Sequence, residues 1–242
     1  MSLVPHTLPF VPPAGNHRVR VVRSFEELAT TPLGDGVNAL CWPRALAGDF
    51  EEVVARVGGG DGITSLDDAG LRALELSAAG RAAVEILIED QQRLRGLGLA
   101  PVLDSISGYP RDEDDALVPI DVYSWHADSA TVPTDTWLCS YTEAASEGLR
   151  NEEAVRCVDV PGTRAELLRR FGGADGPGFV AYLNENCYDL HYVAVAGAQP
   201  YGFGLGNLWR IAVEYPGSPV PPCVHRAPAT VSGRPPRLLL IS

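Results

Sequence analysis

Three side chains of this sequence have the types and order of a mononuclear metal site. They are His126 and Asp128, in Trp125-His126-Ala127-Asp128, and His225, in Cys223-Val224-His225-Arg226. Two imidazoles and one carboxylate hold a divalent ion while leaving coordination positions open, the donor set of a non-haem iron centre. Side chains alternate along an extended chain, so His126 and Asp128 are expected to face the same way and bind one ion together. A cation follows them: Arg237 opens the run Arg237-Leu238-Leu239-Leu240-Ile241, twelve residues after His225. A guanidinium at a strand start has a fixed direction and a planar fork that matches a carboxylate. Arg234, in the turn Ser232-Gly233-Arg234-Pro235-Pro236, competes for that role nine residues after His225.

Other polar residues could share the same cavity. His191, in Cys187-Tyr188-Asp189-Leu190-His191, forms a mirror-order pair with Asp189 and is the rival ligand, or else a donor or base facing the substrate. Arg210 lies among apolar residues in Leu208-Trp209-Arg210-Ile211-Ala212-Val213, so it is either ion-paired or turned towards a ligand. Arg150 and Asn207 are further candidates for substrate contact, with Asn184 and Asn186 as additional amides. Cys223 shares the inward face of His225 and should line the site without ligating the ion. The other cysteines, Cys41, Cys139, Cys157 and Cys187, have neither disulfide nor zinc-ribbon spacing and read as reduced thiols. The stretch Tyr201-Gly202-Phe203-Gly204-Leu205-Gly206-Asn207 resembles a phosphate loop but lacks the strand before and the helix after, so it reads as a tight turn. His6 and His17, in an extended N-terminal segment, are expected in solvent.

The elements that must position these residues change character along the chain. Residues 1–117 read as mainly helical after an opening strand over Arg18–Val22. Ser24 with Glu27 starts a short helix, Asp49 caps a second that Gly58-Gly59-Gly60 stops, and the strongest helix runs from Ala78 to Arg95. Residues 118–242 are short β-type runs broken by Pro, Gly and Asp. Strands are expected leading from Ile120 into His126, and over Thr136–Tyr141, Phe179–Leu183, Tyr188–Val195, Leu208–Tyr215, Pro222–Ala227 and Arg237–Ile241. One helix interrupts them between Cys157 and Gly173. The expectation is a single α+β domain over 1–242, a jelly roll carrying the metal site with an N-terminal helical buttress.

Composition narrows the partners. The 242 residues carry 19 basic and 31 acidic side chains, a net charge of −12, and no basic run able to neutralise a phosphate backbone or an acidic membrane surface. No stretch approaches the roughly 20 apolar residues needed to span a bilayer, and the N-terminus lacks the pattern of a secretory signal. The expectation is a cytoplasmic protein that binds neither nucleic acid nor membrane. The helical third should contribute to a pocket wall or to a homodimer contact.

The order His126-x-Asp128, distal His225 and following Arg237 resembles the iron(II)/2-oxoglutarate-dependent oxygenases, over the part of the chain from Tyr123 onwards. The resemblance implies a double-stranded β-helix of cupin-like type, with Fe(II) on His126, Asp128 and His225. It further implies 2-oxoglutarate and O2 as cosubstrates, with Arg237 or Arg234 on the far carboxylate. A carboxylate at position 128 leaves no vacancy for chloride, so hydroxylation, desaturation or ring closure of a small polar molecule is implied over halogenation. Two other readings stand beside it: an iron oxidase or dioxygenase that takes every electron from its substrate, and a metal-free jelly-roll binder with Trp125, Trp137 and Trp209 around its pocket.

Overall fold

The chain opens with β1 (Val19–Val21), α1 (Phe25–Thr30), β2 (Ala39–Trp42), α2 (Phe50–Val57), β3 (Ile63–Ser65), α3 (Asp68–Ala73), α4 (Ala78–Gly96) and β4 (Val102–Ile106). It continues through β5 (Trp125–His126), β6 (Asp135–Ser140), β7 (Glu147–Leu149), β8 (Ala154–Arg156), α5 (Pro161–Phe171) and α6 (Pro177–Glu185). It closes with β9 (His191–Ala194), β10 (Tyr201–Gly202), β11 (Leu208–Ala212), β12 (Val224–Arg226) and β13 (Arg237–Ile241). This is a computed structural model, and it describes residues 10–58, 60, 62–113, 115–142, 144–229 and 233–242; His6, Gly59 and Ser232, named above, lie outside them.

These elements form a mixed α+β fold with two sheets. One has the order β1-β2-β11-β6-β13-β4-β3 and the other β10-β7-β12-β5-β9-β8. Strand β4 pairs antiparallel with β13, β5 with β12, β6 with β11 and β7 with β10. The chain from β4 to β13 is therefore one long antiparallel hairpin whose successive rungs alternate between the two sheets.

Side-chain alternation sorts the core into two layers. Along β6, Trp137 and Cys139 turn towards the helices, with Leu40, Leu87, Ile88 and Leu94. Leu138 turns the other way, into a layer between the sheets that holds Trp209, Ile211, Tyr201, Cys223 and Leu239. Each buried Leu or Ile contributes about 1.5–3 kcal/mol relative to exposure. The helical layer is also fastened by Asp90 on α4, fully buried, which accepts from Arg44 (2.7 Å), Arg93 (2.8 Å) and the Tyr141 hydroxyl (2.8 Å).

The local signals for the helices hold. The Ser24 hydroxyl accepts from the Glu27 amide at 3.1 Å, and the Asp49 carboxylate accepts from the Glu52 amide at 2.8 Å. Gly58, at φ +80°, ends α2. Helix α4 buries Val84, Leu87, Ile88 and Leu94, the stripe that its periodicity marks.

Four expectations are corrected. The first 117 residues carry the expected helices and opening strand, but they also supply β2, β3 and β4, so four strands of the seven-stranded sheet come from them. Phe179–Leu183 is not a strand: Pro177 at the first turn and Gly176 before it start α6, which buries Phe179 and Leu183 one helical turn apart. The alternation from Ile120 to Ser124 is not extended either, because the Asp121 carboxylate accepts from the amides of Tyr123 and Ser124, both at 3.0 Å, and draws the backbone into a turn. Strand β9 begins only at His191, since Cys187 at φ +57° turns the chain into a short 3-10 helix over Tyr188–Leu190.

Among the described residues, no helix is long and apolar enough to cross a membrane.

Candidate metal centre

Two adjacent strands of the six-stranded sheet bring the histidines together. His225 on β12 is the direct antiparallel partner of His126 on β5, and their ring centroids are 4.5 Å apart. Asp128 lies two residues past His126, where the backbone is held from both sides: the Ala127 amide donates to Leu190 O at 2.9 Å and Asp128 O accepts from the Glu214 amide at 2.7 Å. On the other flank, the Cys223 amide donates to Ala212 O at 2.9 Å, and the side-chain amides of Asn38 and Asn151 donate to Pro222 O. The prolines before β12 thus have their carbonyls satisfied by side chains.

One ligand atom from each of His126, Asp128 and His225 lies within 4.8 Å of the others, and His225 Nε2 is 3.8 Å from Asp128 Oδ2. Neighbouring ligands about 2.1 Å from one ion are about 3 Å apart, so small side-chain movements close this set around a cation. The tautomers suit it. His126 Nδ1 is 2.8 Å from Ser124 O and His225 Nδ1 is 3.2 Å from Cys223 O. A carbonyl only accepts, so both rings carry hydrogen on Nδ1 and keep the Nε2 lone pair for the metal.

Protonation favours the same state. Burial, then the neighbouring His225, pushes the His126 pKa down from 6.5 to about 4, which keeps the ring neutral. Burial pushes the Asp128 carboxyl up, but His225, the Thr136 hydroxyl and His126 outweigh it and hold Asp128 below the usual range. A neutral imidazole and an ionised carboxylate are what a cation needs.

The shift carries a stability consequence for the metal-free protein. Between pH 6.5 and about 4 the unfolded chain takes up a proton that folded His126 refuses, so the unfolded state binds more protons. Stability is expected to fall as pH drops through that window and to be unaffected by this group above it. Denaturant midpoints measured across the window check this: His126→Gln should flatten the slope, and an unchanged slope contradicts the assignment.

Thr136, on the inward face of β6, donates from its hydroxyl to Asp128 Oδ2 at 2.6 Å. It fixes the carboxylate and leaves Oδ1 unhindered by this contact. Thr136→Val is expected to weaken metal binding by about tenfold or more, the usual effect of losing such a partner. Metal-buffered titration reads it, and equal affinity in the variant contradicts the role.

The triad faces a cavity of about 190 Å³ between the sheets, lined also by Arg237, Asp104, Tyr109, Leu138, Ser146 and Leu239. Arg237 opens β13 as expected and is 7% exposed. Its Nη2 donates to the hydroxyls of Ser140 (2.9 Å) and Ser146 (2.7 Å), while its Nε has no hydrogen-bond partner. Among the described residues no carboxylate pairs with it. Burial pulls its pKa down, against the opposing effect of Tyr109. A buried guanidinium with an unpartnered donor, and no ion pair among the described residues, is able to receive an anion.

The other candidates separate. Arg234 is exposed, outside the cavity wall. Arg210 turns to the helical side of its sheet, where it pairs with Asp135 at 2.7 Å and donates to the carbonyls of Leu28, Ala29 and Thr31 at the end of α1. Arg150 pairs with Glu153, one turn away. Asn207 donates to Phe203 O at 2.9 Å and accepts from the Arg44 amide at 3.2 Å, clasping the turn in which Gly204 (φ +72°) and Gly206 (φ +76°) take the left-handed backbone. All three are held by protein partners, and none of them lines the cavity that holds the triad.

His191 is buried beside His126, with ring centroids 5.8 Å apart, and its Nδ1 is 2.9 Å from the Ser124 hydroxyl. The mirror-order pair does not form: Asp189 sits on the 3-10 turn before β9 and faces Arg156 at 3.6 Å. Cys223 lies inward as expected, in the layer between the sheets, and burial pushes its thiol up to about 12.

Thr136, Ser140, Ser146 and Tyr109 are the site residues that sequence reasoning missed. Thr136 and Ser140 had a signal, because they alternate with Leu138 on β6 as polar residues on an inward face. Ser146 and Tyr109 lie in irregular segments and had none.

Comparison with protein-family models, curated proteins and solved structures finds no match, so the chemistry of the chain's own residues carries the functional reading.

Proposed function

We propose that the chain is a non-haem iron(II) oxygenase that uses 2-oxoglutarate and O2 to oxidise a small polar molecule, built on a jelly roll of double-stranded β-helix type. The observation that carries this reading is the presence in one cavity of an open 2-His-1-carboxylate donor set and a buried guanidinium with no carboxylate of its own. The topology supports it. With β4, β5, β6, β7, β10, β11, β12 and β13 counted as strands one to eight, the sheets contain the orders 1-8-3-6 and 2-7-4-5, the orders expected of a hairpin rolled into a jelly roll. The segment from β8 to β9, with α5 and α6, is then an insertion between the fourth and fifth strands, and β1 to β3 extend the larger sheet.

Iron(II), when bound, supplies O2 binding and, with oxidative decarboxylation of 2-oxoglutarate to succinate, the oxidising power to cleave a C–H bond. The chain's residues do the positioning. Arg237 holds the far carboxylate of the cosubstrate, with Ser140 and Ser146 setting the plane of the fork. The carbonyls of Ser124 and Cys223 orient the two imidazoles, and Thr136 orients Asp128. Leu138, Leu239, Ile241 and Val122 give the cavity an apolar wall that limits water beside the ion.

Oxygen uptake with succinate measurement tests the reading. The Fe(II)-loaded protein is expected to convert 2-oxoglutarate to succinate and to stop on chelation. Uptake indifferent to 2-oxoglutarate points to an oxidase drawing on its substrate alone. Small-molecule binding that persists after chelation, without uptake, points to a metal-free binder.

A further inference from the structure

We infer that the substrate carries a positive charge, as an amine or guanidine, and that Asp104 receives it. The inference rests on the oxygenase reading and goes one step into its substrate.

Asp104 is placed by the sheet. It lies on β4 opposite Leu239 of β13, two residues from Ile106, which lies opposite Arg237. Leu103 of the same strand turns to the helical layer and Ile106 to the layer between the sheets, so Asp104 and Arg237 share the inward side. Asp104 lines the cavity that holds the triad. One carboxylate oxygen accepts from the Ser65 hydroxyl at 2.6 Å. Among the described residues no arginine or histidine forms an ion pair with it.

The charge balance makes that carboxylate informative. A metal dication, the Asp128 carboxylate, the Arg237 guanidinium and a cosubstrate dianion sum to zero. Asp104 then remains as one uncompensated, partly exposed negative charge on the wall of the cavity. Such a charge favours a cation and rejects a second anion. Arg237, buried and with an idle donor, independently shows that this cavity is built to be filled.

Tyr109 lines the same cavity and adds one aromatic ring to the wall that carries Asp104.

Calorimetric titration of the protein loaded with Mn(II) and 2-oxoglutarate tests the inference without turnover. The probes are L-lysine, L-arginine and putrescine, against L-norleucine and L-glutamate. At least one cationic probe is expected to bind about tenfold or more tightly than both others, as a charge-assisted contact implies. Asp104→Asn, which keeps the shape and the Ser65 acceptor, is expected to remove the preference, and Asp104→Glu to restore part of it. Norleucine or glutamate binding as tightly, cationic probes failing to bind at millimolar concentration, or a preference that survives Asp104→Asn overturns the inference. If no succinate forms, repeating the titration without 2-oxoglutarate separates the two ideas: an Asp104-dependent preference for cations then stands while the oxygenase reading falls. Succinate formation stimulated by glutamate rather than by the cations does the reverse.

Discussion

Arg237→Met is expected to weaken 2-oxoglutarate binding by about a hundredfold or more while the metal site keeps its ion. The guanidinium is buried, its fork is set by Ser140 and Ser146, and Nε is left for an incoming acceptor. Hydrogen bonds to charged groups contribute about 1.5–3 kcal/mol each, and 1.4 kcal/mol is a factor of ten in affinity. The same substitution should not destabilise the metal-free protein much. A buried ion pair broken at one end leaves an orphan charge and costs about 3–5 kcal/mol, but Arg237 leaves no carboxylate behind. Losing a cation that pays its desolvation alone offsets the two serine hydroxyls left without their donor. Melting curves and 2-oxoglutarate titrations on one preparation decide the matter. A variant that unfolds readily yet binds the cosubstrate normally would show a structural arginine and no clamp.

His225→Ala is expected to abolish tight metal binding. The residue supplies one of the three candidate donor atoms, and it sits inside its sheet between β5 and β7. Loss of an outer partner alone costs 10–100-fold, so loss of the ligand itself should exceed that range. Stability gives an independent readout. An ion present at a hundred times its dissociation constant stabilises the folded state by about 2.7 kcal/mol, because it binds the folded chain and not the unfolded one. Wild-type protein should therefore melt higher with Fe(II) or Mn(II), and His225→Ala should not respond. An equal response in both proteins would place the metal elsewhere.

What could be read from the sequence follows from how local each signal is. Capping pairs such as Ser24 with Glu27, and the stripe of Val84, Leu87, Ile88 and Leu94, act within a turn or two and were legible. Strand β13 was legible to the residue because Arg237 to Ile241 is apolar between turn residues. Segments whose backbone is captured by a side chain were not, as with the Asp121 turn before β5. Phe179 and Leu183 fit both a strand and a helical turn, and the proline before them settles the choice only when read as a helix start. Of the N-terminal strands β1 was legible, but β2, β3 and β4 escaped because each has three to five residues and is held by partner strands, as β2 is by β11 far along the chain.

The site divided along the same line. The three side chains that could hold a metal, His126, Asp128 and His225, and the Arg237 that shares their cavity, were legible by type and order. Of their supports, Thr136 had a signal in the polar inward face of β6 that was not taken up, whereas Ser146 and Tyr109 are ordinary residues until the fold places them. Arg210 left two readings open, ion-paired or ligand-facing, and alternation turns it to the helical side, where it pairs with Asp135 and donates to carbonyls at the end of α1.

Anaerobic titration with Fe(II), followed by 2-oxoglutarate, is the most direct measurement. The expected result is one Fe(II) per chain, lost in His126→Ala, and 2-oxoglutarate binding that requires both the ion and Arg237. Metal that stays bound in His126→Ala, or stoichiometric zinc with no oxygen consumption on exchange to iron, would contradict the site and the oxygenase chemistry built on it.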